Sequence, residues 1–265
     1  MKHRKASFSG SFYPNSAKEI EKMIVQMRVS NETQTDMHDI KAMIAPHAGY
    51  IYSGYTANKA YSLVQEHNVH PKRIVVIGPS HRIYLKGASI ALYDDYETPL
   101  GDISIDYEFS AKLKEQFDEL SFNPLAHSEH STETQMPFIK TYFPNTQVVE
   151  IVYGDISVES LCDIIREIMV QSHTFIVIST DLSHFHTQEE ANILDAQFLK
   201  AIETMDIEAL ETKCEACGIT GVEALIQWAK ENKLQTQVLD YRTSMNTNHD
   251  ASKVVGYTSA IIGER

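Results

Sequence analysis

Short apolar runs rich in β-branched residues alternate along the chain with longer amphipathic stretches, and this alternation restricts the fold more than any other feature. The strand candidates are KAMIAP (41–46), RIVVIGP (73–79), ASIALY (88–93), QVVEIVYG (147–154), TFIVIST (174–180), TQVLDYR (236–242) and VVGYTSAII (254–262). Several are continuously apolar rather than alternating, as expected of strands covered on both faces. Helices are predicted over 17–29, 55–66, 107–119, 132–142, 158–171, 188–203 and 222–232. Thr132 with Gln135 has the pattern of a capping box, and Asn15, Ser157 and Thr187 are candidate N-caps. The pattern reads as α/β with three layers. No repeat and no Ser/Gly-rich linker interrupts it, so residues 1–265 are expected to form one domain. The polar stretch SNETQTDMHD (30–39) is expected to be a surface loop.

Charge narrows the classes of partner. Lys plus Arg number 23 against 36 Asp plus Glu, a formal charge of −13. Such a surface repels phosphate backbones and acidic lipid, and no basic cluster stands in the linear sequence, so neither nucleic acid nor membrane is expected as a partner. The apolar runs are far too short to span a bilayer. The basic start MKHRKASFSG lacks the apolar core of a signal peptide, and three cysteines make no closed disulfide framework. A cytoplasmic location is the expectation.

Three of the 12 histidines stand just beyond strand candidates: His47 after MIAP, His81 after VVIGPS and His184 after FIVISTDLS. In open α/β sheets, ligands bind beyond the carboxyl ends of strands, where loops from distant parts of the chain converge. Neutral imidazole is a common ligand for Fe, Zn, Cu and Ni, and two histidines with an oxygen donor can occupy one face of an ion. Asp181 is a candidate for that donor, or for the partner that orients His184. The bland alternative is that each histidine is bonded to nearby backbone. Around His47, PHAGYIYSG (46–54) places Tyr50 and Tyr52 as candidate pocket walls with hydroxyl donors. HSEHSTETQMP (127–137) gathers His127, Glu129, His130 and Glu133 at a helix start. There His130 is a candidate proton shuttle, with a solvated helix start as the alternative.

Other patterns weigh less. Cys214 and Cys217 form a CxxC that reads as structural thiols, with a redox pair or half a zinc site as alternatives. Ser80 lacks the GxSxG elbow of a hydrolase nucleophile, and neither a P-loop nor GxGxxG occurs.

The segments GSFYP (10–14), PHAGYIYSG (46–54), GPSH (78–81), TPLGD (98–102), EHSTETQMPF (129–138) and STDLSHF (179–185) together resemble the Memo family. Its bacterial and archaeal members are also called AmmeMemoRadiSam system protein B, and the likeness runs from about residue 4 to 262. The resemblance implies a fold similar to the class III extradiol ring-cleaving dioxygenases, a three-layer α/β/α sandwich around a mixed sheet with a non-haem metal pocket. It implies that His47 and His81 match two metal-ligand positions and that His184, with Asp181 nearby, matches a pocket histidine. Animal members place a cysteine in a C-terminal strand-loop. The corresponding segment, DYRTSMNTNHD (240–250), has none, and Ser244 or Thr247 stands near that place. A hydroxyl contributes almost no negative charge to a divalent ion, so Asp181 and His249 become the compensating candidates.

Three functions follow as expectations. The first is an Fe(II)-dependent, dioxygenase-like enzyme acting on a small chelating substrate. Its metal sits on His47, His81 and His184, its acid/base groups are His184, His130 and Asp181, and its substrate contacts are Tyr50, Tyr52, Glu129 and Ser244. The second is a hydrolase in which Zn²⁺ or Fe²⁺ activates water. The third is a non-catalytic protein that binds a peptide or serves as an accessory to an AMMECR-type protein and a radical SAM enzyme, partners implied by the family's name.

Overall fold

The computed structural model describes residues 2–28, 34–67 and 69–265. In chain order the helices are α1 (Ala17–Arg28), α2 (Tyr50–Glu66), α3 (Tyr107–Gln116), α4 (His130–Glu133) and α5 (Met136–Tyr142). They continue with α6 (Val158–Val170), α7 (Gln188–Thr204), α8 (Ile207–Lys213), α9 (Ile219–Glu231) and α10 (Met245–Asn248). The strands are β1 (His3–Arg4), β2 (His38–Ala45), β3 (Arg73–Pro79), β4 (Ala88–Ile90), β5 (Asp95–Tyr96) and β6 (Ile103–Ser104). Then follow β7 (Leu120–Ser121), β8 (Gln147–Tyr153), β9 (Thr174–Ser179), β10 (His184–His186), β11 (Gln235–Thr243) and β12 (Val254–Glu264).

Nine strands form the main sheet in the order β10-β12-β2-β9-β3-β8-β4-β7, with β11 paired to β12. The four central strands β2, β9, β3 and β8 are mutually parallel, while β12 and β4 join them antiparallel. The sheet is therefore mixed. A small second sheet, β1-β5-β6, carries the N-terminal segment.

The continuous apolar runs are explained by the two faces of this sheet. Ile74 and Val76 of β3 and Val177 of β9 pack with Ile20 and Ile24 of α1, Tyr61 and Val64 of α2 and Phe138 of α5. Their neighbours Val75, Ile77 and Ile178 face the other way, against Leu161 and Ile165 of α6, Phe198 of α7 and Leu225 of α9. Successive strand residues point to opposite faces, so both faces need an apolar residue at each step. Each such buried side chain contributes about 1.5–3 kcal/mol relative to exposure. The result is the expected α/β/α sandwich.

Local signals fared unevenly. The Ser157 side chain caps α6, and Thr187 with Glu190 completes a capping box on α7. At α1 the Asn15 cap is replaced by the next residue, where the Ser16 carbonyl accepts from the Ile20 amide. The Thr132–Gln135 box does not form. Thr132 lies inside α4, its hydroxyl donates to Glu150 Oε1 at 2.6 Å, and Glu129 caps the helix instead. The predicted helix 132–142 is split into α4 and α5 around Thr134 and Gln135. Helix α2 begins five residues earlier than predicted, so Tyr50 and Tyr52 are helical. Residues 29–33 of the predicted helix end and polar loop lie outside the described residues, and His38 and Asp39 already belong to β2. Among the described residues no helix is long and apolar enough to cross a membrane.

Candidate metal centre

The adjacent strands β2, β9 and β3 each release a chemically active residue two positions beyond their carboxyl ends: His47, Asp181 and His81. Because β9 lies between the other two, Asp181 stands between the histidine-bearing loops. Its carboxylate accepts the His47 amide at 2.8 Å, which fixes the backbone that carries the imidazole. Burial raises the Asp181 carboxyl above its ordinary range, against the amides of His47 and Ala48 and the charges of His184 and His130.

The Ser179 hydroxyl fixes the His47 tautomer. Its Nδ1 lies 3.0 Å from Ser179 Oγ, and that hydroxyl already donates to the Ser131 carbonyl. Nδ1 must therefore be the donor, which leaves the lone pair on Nε2. Nε2 faces Cys217 Sγ at 3.3 Å. Burial first, then the neighbouring His81 and His130, lowers the His47 pKa well below the ordinary histidine value, so the ring is neutral and suited to metal.

Cys217 reaches this point through a close approach of two loops. It precedes Gly218, the N-cap of α9, whose amide donates to Thr180 Oγ1 at 2.9 Å. A Cβ on Gly218 would lie 2.6 Å from Thr180 Cβ and 2.8 Å from the Ser179 carbonyl oxygen, so only glycine lets the loop sit this close to the end of β9. The Asp181 amide donates to Cys217 Sγ at 3.2 Å, and the Cys217 amide donates to the Asp181 carbonyl at 3.2 Å. Burial, with the Asp181 charge adding to it, pushes the thiol up to about 12.

Ligand atoms of His47, His81 and Cys217 all lie within 4.8 Å of one another. Two nitrogen or sulfur ligands on one tetrahedral ion, at roughly 2.0–2.3 Å from it, sit about 3.5 Å apart. The 3.3 Å separation of His47 Nε2 and Cys217 Sγ matches that spacing. The donor set of two imidazoles and one thiol is thus chemically and sterically fit for a divalent metal.

A second group, His81, Glu129 and His130, shares one histidine with the first. Glu129 caps α4, accepting from the amides of His130 at 2.8 Å and Ser131 at 3.2 Å, and also takes the His81 amide at 2.7 Å. Its oxygens lie 3.3 Å from His81 Nδ1 and 2.8 Å from His130 Nδ1. An ionised carboxylate only accepts, so both rings present Nδ1–H to it and keep their lone pairs on Nε2. Burial alone would raise the Glu129 carboxyl, yet the bonds from His130 and His81 hold it far below the usual range. Helix α4 comes this close to β3 because Gly78 has no side chain: a Cβ there would lie 2.7 Å from Ser131 Oγ. The rings of His47, His81 and His130 are mutually 4.7–5.4 Å apart, with Phe12 at 4.6 Å and Phe8 at 5.6 Å from His130.

Several expected positions are different. His184 stands outside the close set: it lies on β10, its amide donates to Glu215 at 3.0 Å, and Cys217 takes the third place beside His47 and His81. The segment 240–250 does not reach the centre either, because it builds the end of β11 and α10. There the buried Ser244 hydroxyl accepts the Val255 amide at 3.1 Å, Thr247 donates to the Ile51 carbonyl, and His249 is an exposed helix end. The cysteine closest to the two histidines is Cys217, from the loop between α8 and α9. Cys217 thus stands beside His47 and His81, while Cys214 ends α8 and packs against the core. Tyr50 and Tyr52 both line a cavity of about 550 Å³, but the Tyr50 hydroxyl is committed to the Thr134 carbonyl at 2.8 Å.

The remaining polar residues of 127–137 turn inward. Arg4 donates to Glu133 at 2.6 Å and to Glu150 at 3.5 Å, with its guanidinium 4.5 Å above the Tyr96 ring. His127 bridges Glu150 Oε2 at 2.8 Å and Ser89 Oγ at 2.9 Å. Ser89, His127 and Glu150 thus have the connectivity of a serine-hydrolase triad. Ser89 is fully buried and its Oγ also accepts the Asn123 amide, so no substrate carbonyl can approach it. Ser80 donates to the Ile83 carbonyl at 2.8 Å, with no histidine or carboxylate bonded to its hydroxyl among the described residues.

Comparison with known proteins agrees with this architecture. The family described as Memo-like protein matches residues 4–261. A MEMO1 family protein of Aquifex aeolicus is 32% identical over 98% of this chain and 99% of its own length. One from Methanobrevibacter smithii is 31% identical over 97% and 99%. In fold, the chain is similar to an uncharacterized protein of Escherichia coli K12 whose crystal structure superposes with a TM-score of 0.55 at 13% identity, covering 84% of this chain and all of that one. With the family matched over nearly its whole length, and relatives aligned from end to end, this chain belongs to the Memo-like protein family.

Proposed function

We propose that the protein holds a divalent metal on His47, His81 and Cys217 and acts as an Fe(II)-dependent, dioxygenase-like oxidoreductase on a small chelating substrate. One observation carries the reading: two imidazoles with available lone pairs and one thiol meet within 4.8 Å at the carboxyl ends of adjacent parallel strands. Once deprotonated, Cys217 supplies the negative charge that a pair of neutral imidazoles lacks. Bound there, the metal would supply Lewis acidity and, as iron, a place for O₂.

The chain's own residues then have separate tasks. Asp181 holds the His47 backbone, and Ser179 holds its Nδ1–H. Glu129 orients His81 and His130 together. His130 Nε2 is left to accept a proton from a chelating hydroxyl. Phe8 and Phe12 pack over His130 and exclude water from that side.

A second reading is favoured by the thiol itself. Sulfur ligation suits zinc, so the same residues could hold Zn²⁺ and serve hydrolysis. Elemental analysis of protein purified without oxygen or chelator separates the readings. Near-stoichiometric iron, lost in His47→Ala and reduced in Cys217→Ser, together with O₂ uptake on vicinal diols, is expected. Zinc in the same pattern, with no O₂ uptake, would move the assignment to the hydrolase. Equal metal in wild type and both variants would overturn the site.

A further inference from the structure

The cavity of about 550 Å³ beside the centre has a chemical character that the metal does not explain. It lies between the turn at residues 10–15, the first turns of α1 and the start of α2. Its size suits a small molecule. Phe12 separates the two sites: its ring packs at 4.6 Å from His130, and it also lines the cavity. Around it stand Tyr13, Tyr50 and Tyr52.

Three of the polar side chains on this wall are already engaged. The Tyr13 hydroxyl donates to Glu133 at 2.8 Å, the Tyr50 hydroxyl to the Thr134 carbonyl, and the Ser11 hydroxyl to the Phe8 carbonyl at 2.9 Å. Tyr13 and Tyr50 are thus buried with their hydroxyls committed, and the half-buried Tyr52 is the tyrosine that presents its ring to the cavity. Among the described residues Glu19 is the only charged one lining the cavity, and its carboxylate has no hydrogen-bond or ion-pair partner there. Asn15 and Tyr52 each keep a side-chain donor, but no Lys, Arg or His among the described residues lines the cavity to hold an anion. The first amide of α2, on Tyr50, is taken by the Phe12 carbonyl at 2.8 Å, and the amide of Tyr52 by the Gly49 carbonyl. Aromatic faces, one free carboxylate and a chain of net charge −13 all favour a cation.

We propose that this cavity binds a small flat molecule bearing an ammonium or amidinium group, with the ring against Phe12 and the cation at Glu19. The bland alternative is that Glu19 merely complements the dipole of α1 from its first turn, which would give no ligand preference. The proposal does not depend on metal, because the probes that test it do not chelate.

Benzamidine, benzamide and benzoate share one ring and differ in charge. Titration calorimetry at low ionic strength should show benzamidine binding about tenfold more tightly than either of the others, the scale of a cation–π contact plus a part-exposed ion pair. In Glu19→Gln the preference should fall to within about twofold, and added salt should weaken it in the native protein. Glu19 is exposed, and an unchanged melting temperature checks that the variant folds. Equal binding of benzoate, a preference that survives Glu19→Gln, or no binding of any of the three would each overturn the proposal.

Discussion

Removal of the Arg4 guanidinium should be among the most damaging single changes outside the centre. Arg4 is 3% exposed and, beyond its local bonds to Lys5 and Ser7, reaches Glu133 at 2.6 Å, Glu150 at 3.5 Å and the Glu129 carbonyl at 3.3 Å. Arg4→Met keeps most of the buried length but leaves two fully buried carboxylates without their cation. Breaking a buried pair in this way costs about 3–5 kcal/mol. For a domain of this size that corresponds to a fall in melting temperature on the order of 10 °C. The loss should also depend on pH. Burial alone would raise the Glu150 carboxyl, but Arg4, and after it His127, hold it below its ordinary value. A carboxyl depressed in the folded state contributes stability that is present above its unfolded pKa of about 4.3 and is lost as pH falls through the folded value. Without Arg4, burial prevails and that contribution changes sign. The gap between wild type and variant should therefore be widest near neutrality and narrow below about pH 4.5. Urea unfolding followed by circular dichroism at several pH values measures it. A cost under about 1 kcal/mol, or one that is the same at every pH, would refute the reasoning.

Other changes probe how the centre is assembled. Gly218→Ala should cost about 1–3 kcal/mol through overpacking against Thr180 and the Ser179 carbonyl, and should lower metal content by displacing Cys217, as unfolding and elemental analysis would show. Glu129→Ala removes a helix cap worth about 0.5–2 kcal/mol and frees both His81 and His130, so metal affinity should fall by more than the stability loss explains. Thr187→Ala breaks the capping box of α7 and should cost about 1 kcal/mol in urea unfolding without altering metal content. Because the metal-free Cys217 thiol lies up at about 12, metal uptake should release a proton from it and weaken as pH falls, which calorimetry in buffers of different ionisation enthalpy would detect.

The parts of the site that were legible in the sequence share one physical origin. His47, His81 and Asp181 each follow a continuous apolar run, and such runs mark buried parallel strands whose carboxyl ends open on one edge. The parts that were not legible depend on approaches between segments far apart in the chain. Glu129 and Thr132 both looked like local helix-start residues. Which one caps α4 was decided by Glu150 on β8, which takes the Thr132 hydroxyl. The dinucleotide Cys217–Gly218 was a faint signal of close packing, but a glycine does not reveal what it packs against.

By itself, then, the sequence determined the three-layer α/β class, the order of the main strands along the chain and two of the three residues of the candidate donor set. Those features follow from periodicity and from the geometry of a strand end, which are local. Tertiary structure alone decided that Cys217, rather than His184 or a residue of 240–250, lies beside His47 and His81, and that His127 and Glu133 serve a buried Arg4 network. It decided them because the Cys217 thiol comes beside the imidazoles only when the α8–α9 loop settles within contact of β9, and that distance is set by what Gly218 meets across the fold.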